Sequence, residues 1–101
     1  LVTVCLGAND AVIKGVAPNS SRQHVPLEQY KANLEKIVGS VRARGISHIL
    51  LISPPPLDDK GYKETGSCGA NAADRTNANT GQYAAASKAL AGELGLPHVD
   101  L

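Results

Sequence analysis

The chain has little of what several large functional classes require. It holds 2 cysteines and 3 histidines in 101 residues. Cys5, Cys68, His24, His48 and His98 show neither Cys-x-x-Cys nor His-x-x-x-His spacing, so no disulfide framework and no metal centre is expected. Cys5, inside an apolar run, reads as a small buried hydrophobe, and Cys68 as a loop thiol. Neither sign of charge predominates: 10 basic and 9 acidic residues are interspersed, for a net +1. That lacks the basic footprint selected by nucleic acid or an anionic membrane surface. No apolar run approaches the ~20 residues that would span a bilayer. The loop after the first apolar run contains no Gly-x-Gly-x-x-Gly and no Gly-Lys-Ser/Thr, which speaks against a nucleotide-binding doubly wound domain. No metal or organic cofactor is expected.

What is present is a regular change in the period of the apolar residues. Leu1 to Leu6 reads as a fully buried strand, closed by Gly7-Ala8-Asn9-Asp10. From Leu27 the apolar positions Leu27, Tyr30, Leu34, Ile37, Val38 and Val41 advance in steps of three and four, one stripe along a helix. Pro26 suits the first turn of that helix and Gly45 its end. Glu28 near the start, with Arg42 and Arg44 near the end, complements the helix dipole. Ile46 to Ser53 reads as a buried parallel strand, stopped by Pro54-Pro55-Pro56.

The stretch from Leu57 to Asn79 has no clear period and is expected to be a long loop, which in a compact domain is usually functional or mobile. A second helix follows, with Tyr83, Ala86, Leu90 and Leu94 on one face and Gly95 as its stop; Leu96 to Leu101 opens a third strand. The order β-α-β-α-β predicts parallel strands joined by crossover helices. Leu1 and Leu101 both fall inside strand patterns, so the chain is expected to be the interior of a domain. Three strands alone would leave edges and faces uncovered, with poor stability in isolation.

In such a sheet ligands sit beyond the carboxyl ends of the strands. Gly7 would allow a sharp turn there, and Asn9 could aim an amide N–H at a substrate oxygen. Gly, Asn and Asp also suit an ordinary turn. The serines Ser20, Ser21, Ser53 and Ser67 lack the Gly-x-Ser-x-Gly setting of a nucleophile elbow.

Four stretches in order carry a family resemblance. Gly7-Ala8-Asn9-Asp10 resembles the Gly-x-Asn-Asp block of the SGNH hydrolases, the GDSL-type esterases and lipases. Gln23-His24-Val25-Pro26-Leu27-Glu28-Gln29-Tyr30 with Asn33-Leu34, Leu51-Ile52-Ser53-Pro54-Pro55-Pro56, and Arg75-Thr76-Asn77 with Gly81-Gln82-Tyr83-Ala84 are similar to segments of the isoamyl acetate-hydrolysing esterase group. Together they span almost the whole chain.

The resemblance implies a three-layer α/β/α, flavodoxin-like fold of which only the central β-α-β-α-β part is present. It also implies Ser-His-Asp hydrolysis of short-chain acyl esters, a small-molecule ester being the partner. The family's Gly-Asp-Ser block and Asp-x-x-His pair do not occur in these residues. Residues 1–101 are therefore expected to be a partial domain, inactive alone. By the same resemblance Asn9 is the oxyanion-hole donor, Gly7 shapes its turn and Asp10 supports it. His24 would order its loop or line the substrate pocket. Pro54 would shape that pocket or simply fix the chain after its strand. The competing reading is a truncated or non-catalytic interaction module on the same fold.

Overall fold

Three parallel strands lie side by side in the computed structural model, which describes residues 1–15, 20–65 and 74–101. They are β1 (Val2–Cys5), β2 (Ile49–Ile52) and β3 (His98–Val99), in spatial order β1-β2-β3. The helices are α1 (Ser20–Gln23), α2 (Leu27–Ala43), α3 (Asp59–Thr65) and α4 (Asn77–Leu94). Val2 pairs with Ile49 and Val4 with Leu51, and Leu51 in turn pairs with His98. Because side chains alternate along a strand, these five residues share one face of the sheet.

That face carries the core. Val4, Ile49 and Leu51 cluster with Leu34 and Val38 of α2 and with Tyr83, Ala86, Leu90 and Ala91 of α4. The α2 stripe is the one the sequence spacing predicts, and Tyr30, Leu34 and Val38 are its buried residues. Small Ala86 and Ala91 let α4 approach the sheet closely, and Gly95 closes that helix at φ 67°, a conformation that glycine adopts without steric cost.

The opposite face is bare among the described residues. It presents Thr3 and Cys5 from β1, Leu50 and Ile52 from β2, and Val99, which is 40% exposed. The α/β fold with a parallel sheet is thus present, with two layers formed by the described residues. Two expectations are corrected here. The first strand is not fully buried: Thr3 and Cys5 of β1 are exposed, as are Leu1 (85%) and Leu6 (48%) at its ends, the described residues covering one face of the sheet. Cys5 is exposed rather than buried, since it points to the open face.

The strands are also shorter than their apolar runs, as pairing is limited to the residues that face a neighbour. Ile46 to His48 precede β2, although the His48 carbonyl still accepts from Val2 N–H at 2.9 Å. The stretch expected as one long loop holds α3 and the start of α4. Its part at 66–73, with Ser67 and Cys68, lies outside the described residues. Thr76 caps α4, its side chain accepting from Asn79 N–H at 3.1 Å. Asp59 adds a second acceptor, its Oδ1 lying 2.6 Å from Asn77 N.

Candidate active site

With all strands parallel, the chain leaves β1, β2 and β3 at the same edge of the sheet, through Leu6–Asp10, Ser53–Pro56 and Asp100–Leu101. Gly7 begins the first exit at φ 129°, a backbone conformation that L side chains rarely adopt. It is also crowded: a Cβ there would lie 3.0 Å from Tyr30 Oη and 3.2 Å from Pro54 Cγ. Both features favour glycine there. Beneath the turn, Tyr30 Oη donates to the Leu6 carbonyl at 2.9 Å. The Tyr30 ring meets that of Tyr83 with centroids 5.2 Å apart.

Beyond Gly7 the chain makes one helical turn, Ala11 N–H donating to Gly7 O at 3.0 Å and Val12 N–H to Asn9 O at 3.1 Å. Segments distant in sequence hold the turn from outside. Val25 N–H donates to Asp10 O at 3.1 Å and Ile13 N–H to Asp74 O at 2.6 Å, while the Asn79 side chain donates to Ala11 O. Asn9 itself is exposed. Its Oδ1 accepts from Arg75 Nη2 at 2.8 Å.

Asp10 is half-buried, and burial raises its carboxyl above the ordinary value, partly offset by its own backbone N–H and by nearby His24. His24 Nδ1 lies 2.7 Å from the Val12 carbonyl. A carbonyl only accepts, so the ring proton sits on Nδ1. His24 thus ties the segment before α2 to the turn's far end. Burial pushes the Tyr30 phenol up to about 12 and raises that of Tyr83 as well.

Two clefts open nearby. One of about 360 Å³ lies at the carboxyl ends of β2 and β3, walled by Pro54, Pro56, Thr80, Ala84, Lys88 and Asp100. The other, of about 210 Å³, lies beside the β1 exit and α2, among Leu6, Asp10, Val25, Tyr30 and Leu34. Pro54 therefore packs on Gly7 from one side and faces the larger cleft from the other. His24 lines neither. The structure brings Gly7, Asn9, Asp10, His24 and Pro54 to one edge of the sheet.

Sequence reasoning missed Arg75 as a partner of the turn, since nothing local marks an arginine that acts 66 residues away. It also missed the pair Ser87 Oγ and His98 Nε2, 3.3 Å apart. Ser87 is 1% exposed, on the helix-covered face, so this pair joins α4 to β3 and offers no nucleophile to a substrate. Among the described residues no group of three or more His, Cys, Asp or Glu side chains could hold a metal, and no helix is long and apolar enough to cross a membrane.

Comparison with known proteins gives the family of the chain. The chain is 45% identical over 105 residues to a GDSL esterase/lipase of Arabidopsis thaliana, covering 98% of the chain and 43% of that protein. It is 35% identical over 102 residues to the rat (Rattus norvegicus) isoamyl acetate-hydrolyzing esterase 1 homolog, and 34% identical over 102 residues to the human (Homo sapiens) one. Each of these two alignments covers 99% of the chain and 40% of the relative. The chain thus spans about two-fifths of the curated relatives it matches. The sequence profile of the GDSL-like Lipase/Acylhydrolase family matches residues 1–101, and the chain belongs to that family, the SGNH hydrolases.

Proposed function

We propose that the complete protein hydrolyses short-chain acyl esters, of the acetate-ester type, through an acyl-serine intermediate, and that these 101 residues supply its oxyanion-hole asparagine, Asn9. Residues 1–101 form the central part of the domain on this reading. The Gly-Asp-Ser and Asp-x-x-His blocks that carry the nucleophile and its base would come from outside them. The observation that carries the reading is the placement of Asn9: exposed, at the carboxyl edge of a parallel sheet, on a turn opened by a glycine at positive φ.

The chemistry follows from charge. Attack of a serine on an ester carbonyl places negative charge on the carbonyl oxygen. A fixed amide donor stabilises that charge more than the neutral ester, and so lowers the barrier rather than merely tightening binding. Asparagine donates without a charge or a titration of its own. With Oδ1 engaged by Arg75, the NH₂ end of Asn9 is the end left to donate, and it has no acceptor among the described residues. Asp10 and His24 keep the turn in shape, Asp10 through its backbone and His24 through the Val12 carbonyl. Pro54 forms part of the wall of the cleft at the end of β2, where a short acyl group would fit.

The test is p-nitrophenyl acetate hydrolysis by the complete gene product and its Asn9→Ala variant. Turnover by the parent and a kcat loss of about 10²–10³ in the variant are expected, the usual effect of removing one such donor. Equal rates would reduce Asn9 to a turn residue, and absence of turnover in both would favour a non-catalytic interaction module.

A further inference from the structure

An exposed carboxamide is ordinarily free to turn, because its terminal torsion has a broad, roughly two-fold profile. Turned by half a revolution, Asn9 would present an oxygen where the reaction needs a donor. The contact that prevents this comes from Arg75, just ahead of α4. Its Nη2 lies 2.8 Å from Asn9 Oδ1, and a guanidinium has donors and no acceptor. Only the oxygen of Asn9 can face it, so NH₂ is left as the outward end.

The same guanidinium is anchored to the turn it orients. Nη1 reaches the Ala8 carbonyl at 3.4 Å, and Nη2 also reaches Gln23 Oε1 at 3.4 Å. Among the described residues it forms no ion pair with a carboxylate. Its charge is therefore directed at neutral acceptors on and beside the turn.

We infer that Arg75 is a positioning residue for catalysis: it fixes the Asn9 carboxamide with NH₂ toward the developing oxyanion and polarises that NH₂ through Oδ1. The inference rests on Asn9 being the oxyanion donor. A charge-assisted bond to the amide oxygen is stronger than a neutral one, and bonds in such a chain reinforce one another. Arginine suits the task because its fork spans two acceptors at once and its charge persists at any working pH; lysine offers the charge without the fork.

The experiment is a double-mutant cycle on the complete gene product, with p-nitrophenyl acetate as substrate: Arg75→Met, Asn9→Ala and the two combined. Arg75→Met is expected to lower kcat roughly tenfold with KM little changed, and to have no further effect once Asn9 is alanine, as coupled residues behave. The side-chain NH₂ signals of Asn9 in a ¹⁵N–¹H spectrum, identified by their loss in Asn9→Ala, are expected to shift in Arg75→Met. An unchanged kcat in Arg75→Met, or the same fold-loss with and without Asn9, would overturn the inference while leaving Asn9 in its role. A wild-type kcat in Asn9→Ala would overturn the oxyanion reading itself, and the inference with it. If Arg75→Met does not fold, Arg75→Gln, which also removes the charge and is no longer a donor only, takes its place in the cycle with the same outcomes.

Discussion

The helix-covered face of the sheet and the turn at the end of β1 are held together in different ways. The face is a contact of apolar side chains, Val4, Ile49 and Leu51 against Leu34, Val38 and Leu90. The attraction there is non-directional and scales with the area removed from water. The turn buries Gly7 and Ala11 but leaves its Asn9 exposed. Directional bonds fix that exposed part, from Tyr30, Val25, Arg75 and Asn79 to particular acceptor atoms of the Leu6 to Ala11 segment. A packed face tolerates apolar side chains of similar volume. A hydrogen-bonded turn depends on each donor and acceptor individually, which suits a catalytic group that must be placed rather than merely buried.

Substitutions on the two regions should therefore separate stability from turnover. The largest loss of stability is expected from Leu51→Ala, since Leu51 is fully buried at the centre of the sheet. About 2–5 kcal/mol should go in denaturant unfolding of the complete protein, with kcat per folded molecule retained. Gly7→Ala should cost less stability, about 1–3 kcal/mol for backbone strain at one residue, yet reduce turnover sharply. Its new methyl group would press on Tyr30 and Pro54. A Gly7→Ala variant with parental kcat would break the distinction between the regions.

The smallest effect belongs to Tyr30→Phe, which removes the bond to the Leu6 carbonyl at a cost of about 1 kcal/mol. Here pH gives a sharper test. Burial raises the Tyr30 phenol from 10 to about 12, so folding favours its protonated form. That contribution is complete below the unfolded value and is lost as pH rises through the folded one. The stability difference between the parent and Tyr30→Phe should therefore shrink on going from pH 10 to about 12, read from unfolding curves at each pH.

The same contrast decides how much was legible in the sequence. Repeated signals gave the packed part: the spacing of Leu27, Tyr30, Leu34, Val38 and Val41 marks α2, and the run Ile49 to Ile52 with its three prolines marks β2 and its end. Strand limits were less clear, because apolar runs extend past the residues that find a pairing partner. The start of α4 was hidden by Asn77, Asn79 and Gly81, poor helix formers; what starts the helix is the Thr76 cap and the Asp59 carboxylate. Leu1, Cys5 and Leu6 read as buried because apolarity alone does not reveal whether a second layer covers them. At the site, the Gly7 to Asp10 turn stood out locally. Arg75 did not, since its meaning lies in a contact across 66 residues.

The central claim is that Asn9 donates to negative charge formed during the reaction, and inhibition by a short alkyl boronic acid tests it most directly. Bound to a nucleophilic serine such as the one proposed for the complete protein, a boronate becomes tetrahedral and anionic, as an ester does at the barrier. Asn9→Ala should raise its Ki by about 10²-fold, in step with the loss of kcat, while KM for p-nitrophenyl acetate changes little. A Ki unchanged by the substitution would contradict the account.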